Sequence, residues 1–146
     1  MGMLRRSFFL TCFLTLILPV EIFAQEGAGE INKYSRVVAL SSLSADLIAS
    51  INLDALIGVP GTSLTNKDSK FSGIQRISNG RSQPSVELIL SMKPDLVVGA
   101  AGFHTRSLNT LSILGVETLA MNIDRWDRLE EASRILESKV VNAMSI

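Results

Sequence analysis

Cysteine and histidine are almost absent from this chain of 146 residues. Its one cysteine is Cys12 and its one histidine is His104. A disulfide needs two cysteines, and a structural zinc site of the usual kind needs four cysteine or histidine ligands. The sequence therefore excludes a disulfide within the chain and predicts no metal site, so an apolar core alone has to stabilise the fold.

Motifs for catalysis and for nucleotide binding are also missing. The loop after the first predicted strand reads Ser41-Ser42-Leu43-Ser44 and has none of the glycines of a dinucleotide-binding turn. No glycine-rich loop ends in lysine, and no serine stands at the centre of a nucleophile elbow. These absences argue against an enzyme, and a small α/β nucleotide-binding domain or enzyme is kept as the alternative.

Excess charge of either sign is lacking too. Beyond residue 24 the chain has 12 Lys and Arg against 13 Asp and Glu, and the two signs are interspersed. Proteins that bind nucleic acid usually carry a basic stripe or patch. The charge pattern therefore gives no support to a nucleic-acid partner.

A long apolar run occurs only near the start, at residues 8–20, directly after Arg5 and Arg6. The run is too short to cross a bilayer comfortably and is typical of a secretory signal. We predict a signal peptide over residues 1–24, cleaved after Ala24. A retained membrane anchor is the alternative, and the two arginines leave export through the general or the twin-arginine route open. Too few apolar residues precede Cys12 for a lipoprotein signal.

The remaining chain alternates between apolar runs and amphipathic segments. Residues 25–35 are small and polar and are predicted to form a flexible leader before a domain at 36–146. Residues 62–72 are predicted to be a long loop, with 74–77 near the sheet edge, and Asp127 is predicted to cap the last helix, which continues to the chain end. The pattern predicts strands at 36–40, 56–59, 95–100 and 116–121, and helices at 45–51, 86–92, 107–114 and from 127 onward.

Strands and helices that alternate with short connections predict an α/β fold with a parallel sheet between two layers of helices. In such sheets ligands bind outside the carboxyl ends of the strands. Five loops are predicted at that edge: 41–44, 60–64, 79–85, 101–105 and 122–126. These five loops are the candidate site.

Several side chains in these loops are candidates for ligand contact. Phe103 and Trp126 are aromatic groups that either pack on a large ligand or cover the edge of the domain. His104 either contacts a ligand or an iron centre, or is an exposed loop histidine. Ser41 and Ser42 either donate hydrogen bonds to a ligand or cap the following helix.

Together these segments resemble the periplasmic binding proteins that deliver iron–siderophore complexes and cobalamin to ABC importers. The resemblance covers about residues 36–138. It rests on the strands 37–41 and 56–59, on the turn 114–116, on the last helix, and above all on the run from Pro84-Ser85-Val86-Glu87 to Met92-Lys93-Pro94-Asp95-Leu96-Val97-Val98.

The resemblance implies a Rossmann-like parallel sheet with helices on both faces, as in the N-terminal lobe of a two-lobed binding protein. It implies a monomeric, non-enzymatic, periplasmic protein without a cofactor, whose partners are a small metal chelate and an ABC permease in the membrane. A ferric siderophore is the favoured ligand, and haem and cobalamin are the alternatives.

Two charged residues gain a role from the resemblance. Arg81 lies where siderophore-binding members place an arginine that reaches the ligand, and Glu87 matches a glutamate that docks onto the permease. A solvated loop arginine is the alternative for Arg81. For Glu87 the alternative is a carboxylate that only stabilises the first turn of its helix. A permease-docking module without a ligand is therefore also open.

Family members have a second lobe, and no second set of strands follows the last predicted helix. The helix from Asp127 is accordingly expected to begin the connection between the lobes. We expect the chain to be the N-terminal lobe of a truncated or interrupted binding protein, whose last helix has lost its packing partner.

Overall fold

A five-stranded parallel sheet organises the part of the chain that the computed structural model describes, residues 33–141. The strands lie in the order β3-β2-β1-β4-β5. In chain order the elements are β1 (Val37–Ala39), α1 (Ser42–Asn52), β2 (Leu56–Val59), α2 (Ser63–Lys67), β3 (Gln75–Arg76), α3 (Val86–Ser91), β4 (Leu96–Ala100), α4 (Thr105–Ile113), β5 (Glu117–Met121) and α5 (Trp126–Lys139).

The two faces of the sheet carry separate cores. Val37 belongs to a buried cluster that includes Ile48 of α1 and Leu136 of α5. Its neighbour Val38 belongs to a second cluster that includes Ile89 of α3 on the opposite face. Successive strand residues point to opposite faces, so a strand covered on both sides has to be apolar throughout. The structure thus confirms the predicted α/β fold with helices on both faces.

Hydrogen bonds join residues 92–95, which follow α3, to the residues just before β1. The Asp95 carboxylate accepts hydrogen bonds from the backbone N–H groups of Ser35 and Arg36, each at 2.9 Å. The Arg36 guanidinium donates to the carbonyl oxygens of Met92 at 2.6 Å and Lys93 at 3.0 Å. These bonds satisfy carbonyls that the end of a helix leaves without partners. Residues 92–95 of the segment on which the family resemblance rests therefore stabilise the fold.

The segment 62–72 is not the loop that the sequence predicts. It contains α2, whose Thr62 and Thr65 form a reciprocal capping box, and a 3₁₀ turn at Ser69–Phe71 that buries Phe71. Five helical residues are too few to show an apolar period. The Arg76 guanidinium holds the segment in place by donating to Asn66 Oδ1 and to the carbonyl oxygens of Thr65, Phe71 and Ile74. The short strand β3 confirms that 74–77 reaches the sheet edge.

The last helix begins two residues earlier than a cap at Asp127 requires. Arg125 is the N-cap residue and makes no side-chain capping bond, so the predicted capping box is wrong. Asp127 lies inside the first turn instead, with one carboxylate oxygen 3.7 Å from Nε of Arg125. An acidic group in this turn interacts favourably with the helix dipole, which accounts for the residue type without a cap.

The end of α5 also differs from the expectation. The helix ends at Lys139, and Val140 pairs with Tyr34 in a parallel bridge. The Tyr34 N–H donates to the Lys139 carbonyl at 2.6 Å, and the Val141 N–H donates to the Tyr34 carbonyl at 2.9 Å. Because Leu136 is fully buried in the core of this lobe, the expectation that the helix lacks a packing partner is wrong.

The predicted signal peptide, most of the predicted leader and any connection that begins after residue 141 lie outside the described residues. Among the helices described, none has the length and apolar character that a bilayer crossing requires.

Candidate functional site

The loops at the carboxyl ends of the strands enclose a cavity at the switch point of the sheet. From β1 the chain adds β2 and β3 on one side, and then β4 and β5 on the other, so the strand order reverses between β1 and β4. Open α/β sheets bind ligands at such a point. The cavity has a volume of about 160 Å³ and is lined by Leu40, Ser41, Ser42, Pro60, Thr62, Ser78, Gly80, Ser82, Phe103 and His104.

The two predicted serines lie in the cavity wall, and both are bonded to the protein. Ser41 Oγ caps α1 by accepting from the Ser44 N–H at 3.1 Å, and it lies 2.6 Å from Ser44 Oγ. Ser42 Oγ lies 2.7 Å from Thr62 Oγ1, which joins the loop after β1 to the loop after β2. Capping therefore accounts for Ser41, and Ser42 fixes the relative position of two loops.

Arg81 lies on a loop whose backbone is fixed while its guanidinium is not. Asn79 Oδ1 accepts hydrogen bonds from the N–H groups of Arg81 and Ser82 and from Ser82 Oγ, all at 3.0 Å. Gly80, which lies between Asn79 and Arg81, has a φ of 80°, a conformation that favours glycine. The Arg81 side chain is exposed and makes no hydrogen bond or ion pair with the described residues. It is held at the cavity rim, beside two lining residues, and remains available to a ligand.

Phe103 and Trp126 lie at the same edge but over different depressions. Phe103 is 61% exposed and lines the polar cavity. Trp126 is 83% exposed and lines an open groove of about 290 Å³ with Leu43, Ile123, Asp124, Arg125 and Leu129. A third depression of about 210 Å³ lies between them, because its lining includes Ser41 and also Leu43 and Ile123. Phe103 packs edge-on against the buried His104 and thus covers part of the domain's own edge, while most of its side chain and of Trp126 stays exposed.

His104 is buried, so the expectation of an exposed loop histidine is wrong. Only 5% of the residue is exposed, although the residue lines the cavity. Its Nδ1 accepts a hydrogen bond from the Ala100 N–H at 3.0 Å, and the Phe103 ring meets its ring edge-on at a centroid distance of 4.8 Å. The position before α4 places the ring under the loop, where burial lowers the pKa of His104 below its ordinary value.

Glu87 lies in the first turn of α3 and is exposed. The Ser85 hydroxyl caps the helix by accepting from the Leu88 N–H at 3.2 Å and donates to Glu87 Oε2 at 3.2 Å. The structure thus confirms Ser85 as the predicted cap and places Glu87 outside the cavity. A carboxylate at this position is available to a partner protein rather than to a ligand in the cavity.

Two further residues shape the site without a signal in the sequence. Gln83 donates to the Phe103 carbonyl at 3.2 Å and accepts from Ser107 Oγ at 3.1 Å, so it bridges the loops after β3 and β4. Asn79 organises the loop that carries Arg81. Single polar residues of this kind have no periodicity or spacing that would identify them, and the loop positions alone pointed to their neighbourhood.

Electrostatically the cavity wall is neutral when His104 is neutral. The lining consists of apolar groups, hydroxyl groups, a glycine and this imidazole, and the charged side chains lie outside it. In the described part of the chain no group of three or more His, Cys, Asp or Glu residues could hold a metal ion. A neutral wall with hydroxyl groups and one imidazole can form hydrogen bonds to a polar ligand.

The lowered pKa of His104 makes stability dependent on pH. An unfolded histidine takes up a proton near pH 6.5, whereas the buried ring does so only at lower pH. The unfolded state therefore binds more protons in this window, and the free energy of unfolding should fall as the pH drops below about 6.5. The variant His104→Asn tests this, because the Asn side chain can still accept from the Ala100 N–H but does not titrate. Between about pH 7.5 and about pH 5, urea unfolding should show a smaller loss of unfolding free energy in the variant than in the wild type. Equal losses in the wild type and the variant would contradict a role of His104 in the pH dependence.

Comparisons with known proteins agree with this geometry. The sequence profile of the family described as "Periplasmic binding protein" matches residues 37–137. The chain therefore belongs to this family, the substrate-binding proteins that serve ABC importers. Comparison with curated proteins gives no match.

Solved structures of this family share the fold. The vitamin B12 binding protein BtuF of Vibrio cholerae is 21% identical with a TM-score of 0.65, covering 76% of this chain and 43% of that one. A possible iron-binding protein from Staphylococcus epidermidis is 15% identical with a TM-score of 0.61, covering 74% of this chain and 44% of that one. The heme binding protein HmuT is 21% identical with a TM-score of 0.58, covering 73% of this chain and 35% of that one. The chain thus resembles the N-terminal lobe of two-lobed binding proteins and spans less than half the length of these relatives.

Proposed function

We propose that this chain is a ligand-binding lobe for a ferric siderophore or a related metal chelate, acting with an ABC permease. The observation that carries the proposal is the neutral, hydroxyl-lined cavity at the switch point of the sheet, with Arg81 at its rim. Binding pockets of this kind combine apolar walls with a few polar groups that fix the orientation of the ligand.

The exposed aromatic rings support a large ligand. The three depressions along the carboxyl edge share lining residues, and Phe103 and Trp126 lie over the two outer ones. A ferric chelate or a tetrapyrrole is large enough to contact several loops at once, and flat aromatic rings pack well against such surfaces. In the proposed function one face of the ligand rests on this lobe.

Arg81 is the residue that we propose to recognise charge on the ligand. Its guanidinium has five N–H donors in a fixed fork that matches carboxylate or hydroxamate oxygens. Ferric citrate is therefore a suitable probe, because it presents anionic oxygen atoms around a fully coordinated iron.

The variant Arg81→Ala tests this assignment. Binding of ferric citrate, measured by equilibrium dialysis, should weaken roughly tenfold or more, because a charge-assisted hydrogen bond is lost. Arg134→Ala is the matched control, since Arg134 lies on the solvated face of α5 and, among residues 33–141, pairs only with Glu130 at 3.4 Å. An equal loss in the two variants, or no loss in Arg81→Ala, would contradict a ligand role for Arg81.

Glu87 is the residue that we propose to dock onto the permease. Glu87→Arg should weaken association with membrane vesicles that contain the permease by roughly tenfold, because the variant reverses a rim charge. Glu137→Arg on α5 is the matched control, as it makes the same charge change away from α3. Chelate binding should be unchanged in both variants. Unchanged association of Glu87→Arg would remove the docking role and leave the ligand-binding proposal standing.

Export to the periplasm and a monomeric state belong to the same proposal. The family supports a periplasmic location, and residues 1–24 have the pattern of a secretory signal. Mass analysis of the exported protein should find an N-terminus at Gln25, and sedimentation should find a single copy. An uncleaved chain retained in the membrane would contradict the export route proposed here.

A further inference from the structure

His104 is the one nearly buried ionisable group in the cavity wall, and its hydrogen bonding is asymmetric. Nδ1 accepts from the Ala100 N–H at 3.0 Å, whereas Nε2 has no hydrogen-bond partner among residues 33–141. No side-chain nitrogen or oxygen in the described part of the chain is both buried and unpaired. Nε2 therefore keeps an open approach, and the cavity that the residue lines provides it.

The bond to Ala100 decides which nitrogen carries the proton. A neutral imidazole has one N–H donor and one nitrogen acceptor. Since a backbone N–H points at Nδ1, the lone pair has to be on Nδ1 and the proton on Nε2. The edge-on contact with Phe103 at 4.8 Å restrains the ring in this orientation. The cavity consequently receives an N–H group and not a lone pair.

This tautomer is unsuited to metal coordination. A histidine that binds a metal through Nε2 needs its proton on Nδ1, where an oxygen acceptor usually holds it. In this site a donor stands at that position. Coordination through Nε2 would turn Nδ1 into a second donor against the Ala100 N–H, and that backbone group would lose its hydrogen bond.

Two side chains of the wall have a donor that bonds to none of the described residues: His104 at Nε2–H, and Ser78, whose hydroxyl only accepts, from the Gly80 N–H at 3.3 Å. The Ser42 and Thr62 hydroxyls bond to each other, Ser41 bonds to Ser44, and the Ser82 hydroxyl donates to Asn79. An oxygen atom of a ligand in the cavity would therefore compete with bonds inside the protein at each of these hydroxyls. It would meet no such competition at Nε2 of His104.

We propose that His104 recognises the ligand by donating its Nε2–H to a ligand oxygen, and that it is not a metal ligand. The proposal rests on the proposed function for the existence of the ligand. It specifies the ligand class as a chelate whose metal is already fully coordinated and which presents carboxylate, hydroxamate or phenolate oxygens. A haem that needs an axial ligand from this cavity would not find it in His104. The lowered pKa of His104 agrees with a neutral ring that has its one proton on Nε2, because burial disfavours the charged imidazolium.

Nitrogen NMR tests the tautomer without any ligand. The chain has a single histidine, so protein labelled with ¹⁵N and free of a histidine tag gives one pair of ring nitrogen signals. A protonated shift at Nε2 and an unprotonated shift at Nδ1 are expected at neutral pH. The opposite assignment would overturn the proposal whether or not the chain binds a chelate.

Two variants separate the donor role from a structural role. His104→Asn keeps an acceptor for the Ala100 N–H and removes the donor at the Nε2 position, because its shorter amide N–H group does not reach there. His104→Gln keeps an N–H near the Nε2 position and loses the acceptor. Binding of ferric citrate should fall roughly tenfold in the Asn variant with little change in its unfolding midpoint. The Gln variant should lose stability and keep more of the binding. If binding follows stability in both variants, the donor role is overturned.

Titration with ferric haemin tests the exclusion of metal coordination. The absorption and electron paramagnetic resonance spectra of wild type and of His104→Asn should be alike, without a histidine-ligated low-spin signal that disappears in the variant. Such a signal in the wild type alone would overturn the proposal. If no chelate binds at all, the proposed function fails, and the NMR assignment still decides whether His104 presents a donor or a lone pair.

Discussion

Gly80→Ala should unfold the carboxyl edge of the sheet and abolish chelate binding. Gly80 has a φ of 80°, and a Cβ added to it would lie 2.7 Å from the Gly61 carbonyl oxygen and 2.8 Å from Thr62 Cα. Backbone atoms cannot move aside as the end of a flexible side chain can. The left-handed conformation and the overpacking together should lower the free energy of unfolding by about 3 kcal/mol.

Gly102→Ala is the matched control for this prediction. Gly102 has nearly the same φ, 83°, but a Cβ added there meets no atom within 4 Å. The control should therefore lose only about 1 kcal/mol, the conformational contribution. Urea unfolding and ferric citrate dialysis of the two variants measure the difference. Equal losses in both would show that the close approach of the loops after β2 and β3 does not determine the cavity.

Leu136→Ala should destabilise the whole lobe by about 2–5 kcal/mol, because it opens a cavity in the core that α5 and the sheet share. Leu136 is fully buried in the cluster that contains Val37 and Ile48. The measurement is the midpoint of thermal or urea unfolding. The size of the effect reports whether α5 is part of this lobe.

Ile135→Ala provides the comparison for Leu136. Ile135 is the preceding residue on α5 and is 37% exposed, so the same kind of truncation should cost about 1 kcal/mol. A loss in Leu136→Ala no larger than that in Ile135→Ala would mean that α5 does not pack on the sheet in solution. The expectation of a last helix without a packing partner would then be restored.

Most of the sheet and four of the five helices could be predicted because their apolar patterns are strong. The strand at 56–59 agrees residue for residue, and the ends of the other predicted strands lie within one residue of those observed. The two-sided core explains this success, because strands buried on both faces are continuous apolar runs. The helix α2 (Ser63–Lys67) was missed because it is short and polar and owes its position to Arg76.

The candidate site was predicted in location and only partly in composition. Parallel sheets place their loops at one edge, so Ser41, Ser42, Phe103 and His104 were expected together and do line one cavity. The burial of His104 could not be read from a loop position, since it depends on Ala100 and Phe103 packing around the ring. Trp126 was placed at the correct edge, but it lies over a separate groove.

Titration of the intrinsic fluorescence with ferric citrate tests the central claim most directly. Trp126 is the only tryptophan of the chain and is 83% exposed at the carboxyl edge, so its emission reports what binds there. The proposed function predicts saturable quenching by the ferric chelate that is weakened in Arg81→Ala and unchanged in Arg134→Ala. The absence of saturable quenching by ferric citrate, by a ferric trihydroxamate, by haemin and by cyanocobalamin would contradict a ligand-binding role for this lobe.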